Sequence, residues 1–586
     1  MSRYGIPLIF FFFFFIFAIA YRYYGRKLTQ WFGASGARTT VAHERMDRVD
    51  YVPTKSAVLF GHHYSSIAGA GPIVGPVLAA LWFGWLPTLL WVLVGAIFIG
   101  GVHDYASLMA SLRHRGRSIG EICRAYLSPM TYRVFLIFVW FTLIYVLIVF
   151  LDLTAATFTA AQRVGEGGAA FEIGGAVATA SMFYICIALI FGVVVSRFGL
   201  NFRAATVIFV PLVFLGLTIG AHYPVTAVAL PGVFHNEPKN TWALILLIYC
   251  FAASITPVWV LLQPRDFLSS FLLFACLAVG SIGLLLSGFS GSVELNYPAY
   301  LGVWQNAETR SGFIFPLLFI TVACGAVSGF HSLVASGTTS KQLSSEKAAL
   351  PVAYGSMLIE GVLGLVALAA VMMLKTNPNL PPTAVFARGM GQFAAALGIP
   401  PHIGTLFGLL AISTFLLTTL DTGTRLTRFI FEEFFNLEDR RWRYLSTFCS
   451  LILPAWIVFM RIPHPTVSGK FIPAWKAIWP VFGTTNQLLA AVALLVVFVW
   501  FLTMGKKTLF LLLPMLFMLI TATVSLFQII AESFSAAAGG QTVVGVICLV
   551  LFFLVVLVLV DTGFHWRRLT AGRKNAGGGT HVAARE

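Results

Sequence analysis

The sequence predicts an all-α polytopic membrane protein of about fifteen transmembrane helices, on three observations. The chain of 586 residues is 58% hydrophobic and 10% charged, with a mean hydropathy of +0.87. Soluble domains carry roughly a quarter charged residues. This composition therefore excludes a soluble enzyme, a nucleic-acid-binding protein and a disordered chain. The apolar residues fall into runs of about 20, the length a helix needs to cross roughly 30 Å of hydrocarbon. Lys and Arg gather on alternate connections between those runs, as the positive-inside rule requires. The seven cysteines include no CxxC pair and mostly lie in apolar runs, so they act as small buried side chains.

The spans begin near 5–21, 57–81, 86–111, 134–161 and 173–195, continue through 205–229, 241–262, 268–290, 313–338 and 351–374, and end with 401–422, 444–460, 479–502, 508–530 and 541–564. With the N-terminus outside, 29 of the 38 Lys and Arg fall on the inner connections and 9 on the outer ones. That asymmetry predicts N-terminus out and C-terminus in, hence an odd number of crossings. The first span competes with a signal-peptide reading, because Arg3, Phe10–Phe15 and Ala18-Ile19-Ala20 follow the charged, apolar and small-residue order. The seven basic residues from Arg22 to Lys55 favour an uncleaved helix instead.

The second span is the most informative. Gly61-His62-His63-Tyr64-Ser65-Ser66 leads into Gly69, Gly71, Pro72, Gly75 and Pro76. Glycine costs roughly 1 kcal/mol and proline roughly 3 relative to alanine inside a helix. Irregular backbone at membrane depth must be buried in protein or line a wet cavity. Close packing through small residues explains the glycines but not the polar run beside them. A second interruption is expected in the seventh span at Ser254-Ile255-Thr256-Pro257-Val258-Trp259, and a similar one in the ninth around Ser328 and His331. Spans two to six and seven to eleven form blocks of similar length. Each block has an odd number of crossings and opens on an interrupted helix, the pattern of a 5+5 inverted-repeat transporter with its site between the breaks. The expected domains are 1–56 (peripheral helix and basic loop), 57–229 and 230–423 (the two repeats) and 424–586 (peripheral helices and basic tail).

Intramembrane ionisable residues are costly, and their default reading is functional. The third span ends Gly101-Val102-His103-Asp104, at a depth shared with His62 and His63. A carboxylate beside an imidazole can exchange a proton. Asp152, Glu360 and Asp421 lie in the fourth, tenth and eleventh spans. Asp421 has the alternative of pairing with Arg425 at a helix end, and Arg265, Asp266 and Lys341 of anchoring the interface. Asn486 and Gln487 are expected to bridge helices. No metal site is expected, since no CxxCH, HExxH or paired-histidine helix occurs. No phosphate-cradling loop is present either, which disfavours an ATP-driven pump.

Six stretches carry a family resemblance: Phe60–Pro76, Gly101–Asp104, Gln263–Asp266, Val327–Lys341, Leu420–Arg425 and Trp479–Gln487. In this order they resemble the recurring motifs of the carbon starvation protein A family. That family resembles the amino acid–polyamine–organocation transporters, so the resemblance implies a LeuT/APC-like core plus peripheral helices in a bacterial cytoplasmic (inner) membrane. It implies uptake of pyruvate or short peptides during carbon starvation. The expected mechanism is proton symport, with sodium as the alternative coupling ion and no cofactor. The partners are a small-molecule substrate and the lipid bilayer, not a nucleic acid.

The expected substrate site comprises Gly61, His62, His63, Tyr64, Ser65, Ser66, Ser254, Thr256, Trp259, Ser328 and His331. Backbone N–H groups at Gly61–Ser66 and Ser254–Pro257 would hold a carboxylate, serine and threonine hydroxyls would add donors, and Trp259 would form an apolar wall. His103 and Asp104 are the expected proton site. Lys341 is expected to stand in for a cation, and Asp421 joins the coupling group. The rivals are a passive pore and a membrane redox or metal protein using His62, His63, His103 and His331.

Overall fold

The computed structural model describes residues 2–575 except 48–50, 161, 164–169, 172, 227–236, 258–259, 307–310, 438, 440, 464–470 and 535–541. The chain is a helical bundle, and among the described residues the strands form three antiparallel pairs, Gln162–Arg163 with Ala170–Phe171, Trp304–Asn306 with Ser311–Phe313, and Arg461–Pro463 with Phe471–Pro473. Among the described residues, thirteen helices are long and apolar enough to cross a membrane, and one bent pair makes a fourteenth. The expected ninth span, at 313–338, is two short helices, each below that length.

Helix α1 (Ser2–Phe32) is followed by the bent pair α2 (Ser56–Ile67) and α3 (Gly71–Phe83), which meet at 44°. Next come α4 (Trp85–Arg113), the short α5 (Ile119–Tyr126) and α6 (Pro129–Phe158). Ser118 caps α5 in a reciprocal capping box with Glu121, which satisfies N–H groups at its first turn. An antiparallel pair, α7 (Ile173–Arg197) and α8 (Phe202–His222), precedes α9 (Pro238–Ile255) and α10 (Leu262–Ser290). A second interruption separates two short helices, α11 (Ile314–Thr321) and α12 (Gly329–Val334). Then follow α13 (Glu346–Met372), α14 (Pro382–Ala395), α15 (Pro401–Phe435), α16 (Trp442–Phe459), α17 (Ala474–Thr503), α18 (Leu509–Ser533) and α19 (Thr542–Asn575).

Burial separates core from periphery. The most apolar stretches of α13 and α15 are 94% buried, against 28% for α1 and α8, so the first two form the centre. Helices α6 and α15 run together there, α2 lies along α10, and α12 along α17. Helix α1 packs on α10 and α13 through Phe10, Phe13 and Phe17, while Phe11, Phe12 and Phe15 face outward.

The two interruptions meet. At Ala68–Ala70 the chain leaves α2, and the segment 322–328 separates α11 from α12. A Cβ on Gly71 would collide with the Cys324 side chain, and one on Gly75 would lie 2.6 Å from the Thr321 carbonyl oxygen. Gly75 is needed because backbone lies against backbone there, and Gly71 because the Cys324 side chain fills the space a Cβ would take.

Two expectations are corrected. Gly61–Ser66 is helical, and the unwinding falls at Ala68–Ala70, because Gly69 and Gly71-Pro72 are the weak helix formers. The seventh span is not broken at mid-membrane. Helix α9 ends at Ile255, where Pro257 drives Thr256 into an extended conformation (φ −73°, ψ 140°), and the chain turns into α10. The partner of the first interruption is the segment between α11 and α12.

Candidate functional site

Around the breaks the bundle buries two ionisable networks. In the first, Asp104 of α4 lies between two imidazoles. His103 Nδ1 is 2.8 Å from Asp104 Oδ1, and His331 Nδ1 of α12 is 2.8 Å from Oδ2. His331 Nε2 points at Glu360 of α13, 3.5 Å from Oε2. All four side chains are fully buried. His63 of α2 bonds Thr339 Oγ1 at 2.8 Å. Such a chain of carboxylates and imidazoles can hold and pass a proton, since each imidazole has one nitrogen to accept and one to donate.

The second network ties α2, α10, α15 and α9. His62 Nδ1 donates to Asp266 Oδ2 at 2.9 Å, and Gln342 approaches His62 Nε2 at 3.4 Å. Arg265 donates to Asp266 Oδ1 at 3.0 Å, to Tyr249 Oη at 2.9 Å and to Asp421. Tyr249 in turn donates to Asp421 at 2.7 Å. A buried guanidinium held by two carboxylates and a phenol is a tightly paired unit, and removing one partner leaves another charge without its hydrogen bonds in the interior.

The sequence-predicted residues divide between these networks and elsewhere. His62, His63, His103, Asp104 and His331 come together at the breaks. Tyr64 is buried against Phe60 and Phe274. Gly61 gives α2 its close approach to Ser270 of α10. The hydroxyls are already engaged: Ser65 donates to the Asp266 carbonyl, Ser66 to the His62 carbonyl, and Ser328 exchanges hydrogen bonds with Asn486. Ser65 and Ser328 join different helices, and Ser66 bonds within α2.

Ser254 and Thr256 lie apart from the breaks. Arg425 donates to the Ala253 and Thr256 carbonyls and Arg428 to the Ser254 carbonyl, so guanidinium groups close the end of α9 that was expected to face substrate. Trp259 lies outside the described residues.

Asp421 pairs with Arg265, not with Arg425 as its alternative had it. Nor is Arg265 an interface anchor on an inner loop, because it is wholly buried inside α10. Lys341 stands away from both networks. It borders a cavity of about 280 Å³ with Ser118, Glu121, Ser336, Phe429 and Glu433, its ammonium 5.5 Å from the Tyr51 ring. Asn486 bridges as expected, accepting from the Phe330 N–H at 3.0 Å.

Sequence reasoning left Glu360 and Tyr249 without a role. The signal for Glu360 was present, a single carboxylate inside a long apolar span. Tyr249 had none, since a tyrosine in a membrane helix is ordinary.

Interrupted crossings that face each other and enclose ionisable side chains define the class: a multi-pass membrane transporter. The comparisons give its kind. The family model described as "Carbon starvation protein CstA" matches residues 5–381 and 378–526, and the chain belongs to that family. It is 30% identical to "Peptide transporter CstA" of Bacillus subtilis (strain 168), covering 94% of this chain and 95% of that one. It is also 30% identical to "Pyruvate/proton symporter BtsT" of Escherichia coli (strain K12), over 82% and 75% of the two chains. Among solved structures, MhsT in complex with L-phenylalanine aligns with 87% of this chain and 99% of its own at 15% identity and a TM-score of 0.45.

Proposed function

We propose that this protein is a secondary active importer that brings a small carboxylate-bearing nutrient, pyruvate or a short peptide, into the bacterial cell with a proton during carbon starvation. The observation that carries the reading is Asp104, fully buried, with its two oxygens on His103 and His331 beside the facing breaks. A proton taken up there changes the charge balance between α4 and the interrupted α12, so protonation and helix position are linked. The names of the relatives support the two substrate classes and the coupling ion.

The packing supports a division into repeats that differs from the expected blocks. We assign α2–α3, α4, α6, α9 and α10 to the first repeat and α11–α12, α13, α15, α16 and α17 to the second. The assignment follows from matched partners: the interrupted α2–α3 reaches α10 through α2 as the interrupted α11–α12 reaches α17 through both halves, α6 packs against α15, and α9 against α16. The short α5 before α6 matches α14 before α15, and α7–α8 is an inserted pair. With the N-terminus outside, matched helices run in opposite directions. The carboxylate would meet the helix start at Ala70–Gly71, where the first N–H groups of α3 and its dipole favour negative charge.

Uptake into proteoliposomes tests the function. Wild-type protein should concentrate labelled pyruvate or dialanine when the outside is acidified, and a passive pore could not. Asp104→Asn should abolish that uphill accumulation while measurable counterflow persists. Accumulation at the wild-type level by this variant would refute Asp104 as the proton site.

A further inference from the structure

Glu360 has a setting that the proton site just described does not explain. It is fully buried on α13, and neither carboxylate oxygen has a hydrogen-bond partner among the described residues. One turn earlier, the Ser356 hydroxyl is equally unpartnered. A carboxyl group without hydrogen bonds in a dry interior is expensive to keep. Its nearest ionisable neighbour is His331, 3.5 Å away, whose other nitrogen already holds Asp104 at 2.8 Å. The remaining titratable groups within electrostatic reach are Asp104 on α4, Tyr64 on α2 and Cys324 in the second break.

A second observation is independent of burial. Each of the three elements that carry Asp104, His331 and Glu360 departs from α geometry close to that residue. A π turn covers Gly95–Gly100 just before Asp104, another covers Ala335–Thr339 just after α12, and a third covers Leu350–Gly355 just before Glu360. Wide turns of this kind mark functional positions in helices, because they loosen the backbone ladder where a helix must shift.

We propose that Glu360 is the second proton-carrying group of this transporter, and that His331, riding on the interrupted crossing, passes protons between Glu360 and Asp104. The transfer balances. A proton leaves Glu360 for His331 Nε2, the proton on Nδ1 passes to Asp104, and the ring stays neutral with its tautomer exchanged. In the N-out orientation the relay has a direction. At about 1.5 Å of rise per residue, Asp104 lies about 14 Å from the cytoplasmic end of α4 and Glu360 about 21 Å from that of α13. Glu360 is thus the outer group, loaded first, and Asp104 the inner one. A movement of α12 against α4 and α13 makes or breaks both contacts, so protons advance only with the conformational cycle.

This inference rests on the proton-symport reading, and its test separates the two. Glu360→Gln and Asp104→Asn are assayed side by side in proteoliposomes with pyruvate and with dialanine. Glu360→Gln should lose gradient-driven accumulation yet retain measurable counterflow, and Glu360→Asp should restore part of the accumulation with a displaced pH profile. Infrared difference spectra taken across a pH jump should show a carboxylic-acid C=O band in the wild type that Glu360→Gln lacks. Accumulation by Glu360→Gln at the wild-type level, with Asp104→Asn inactive, would overturn the role of Glu360 alone. Accumulation by Asp104→Asn would instead overturn the proton site itself. If Glu360→Gln fails to fold, the band decides through Glu360→Asp: a shifted band supports the proposal, and an unshifted one refutes it.

Discussion

At the scale of single residues, Asp104 and Arg265 show two uses of buried charge. Asp104 binds imidazoles, whose ring nitrogens can both accept and donate a proton, whereas Arg265 keeps its charge and locks Asp266 and Asp421 in place. Removing one member of a buried pair typically costs about 3–5 kcal/mol. Asp421→Asn should therefore lower stability by about 3 kcal/mol, read as a marked fall in the unfolding temperature of the detergent-solubilised protein. An unchanged unfolding temperature would mean that Arg265 is held by Asp266 and Tyr249 alone. The types of these residues were legible from the chain, because a carboxylate in an apolar span is conspicuous. Their partners were not: His331 lies 227 residues from Asp104, and Asp421 lies 156 from Arg265.

Among the elements, the interruptions carry the most information. Glycines and prolines located the first break to within a few residues, since their cost is local. The same reasoning misjudged the seventh span, because Pro257 produces one signature whether it kinks a helix or ends it. The extended Thr256 shows that the helix ends there, and the Arg425 and Arg428 guanidinium groups take up the carbonyls left at that end. The contact between the breaks depends on the absence of side chains at a few positions. Gly75→Ala would place a methyl 2.6 Å from the Thr321 carbonyl oxygen, a backbone atom that cannot swing aside. Overpacking of that kind costs about 1–3 kcal/mol. The expected outcome is a lower unfolding temperature together with slowed uptake, while an unaffected variant would show that α3 and the second break have room to separate.

For the molecule as a whole, orientation and repeat are linked. With the N-terminus outside, Asn377, between α13 and α14, faces the exterior, and Asn436, at the end of α15, faces the cytoplasm. Single cysteines at these exposed positions should react oppositely with a membrane-impermeant maleimide on intact cells. Asn377→Cys should label above the native background, and Asn436→Cys only after permeabilisation. The reverse pattern would invert the assigned direction of every crossing and of the proton relay.

By itself the sequence determined the solvent this protein lives in, the approximate crossings, the site of the first break and the residue types that carry charge inside the membrane. Each of these follows from composition or from local cost, and so can be summed along the chain. The tertiary structure alone decided that the first break faces the segment between α11 and α12, and that Asp104, His331 and Glu360 form one line. Those relations depend on which helices touch, and helix contacts in a bilayer are set by shape and by paired polar groups from distant segments, not by hydrophobicity, which nearly every span here shares.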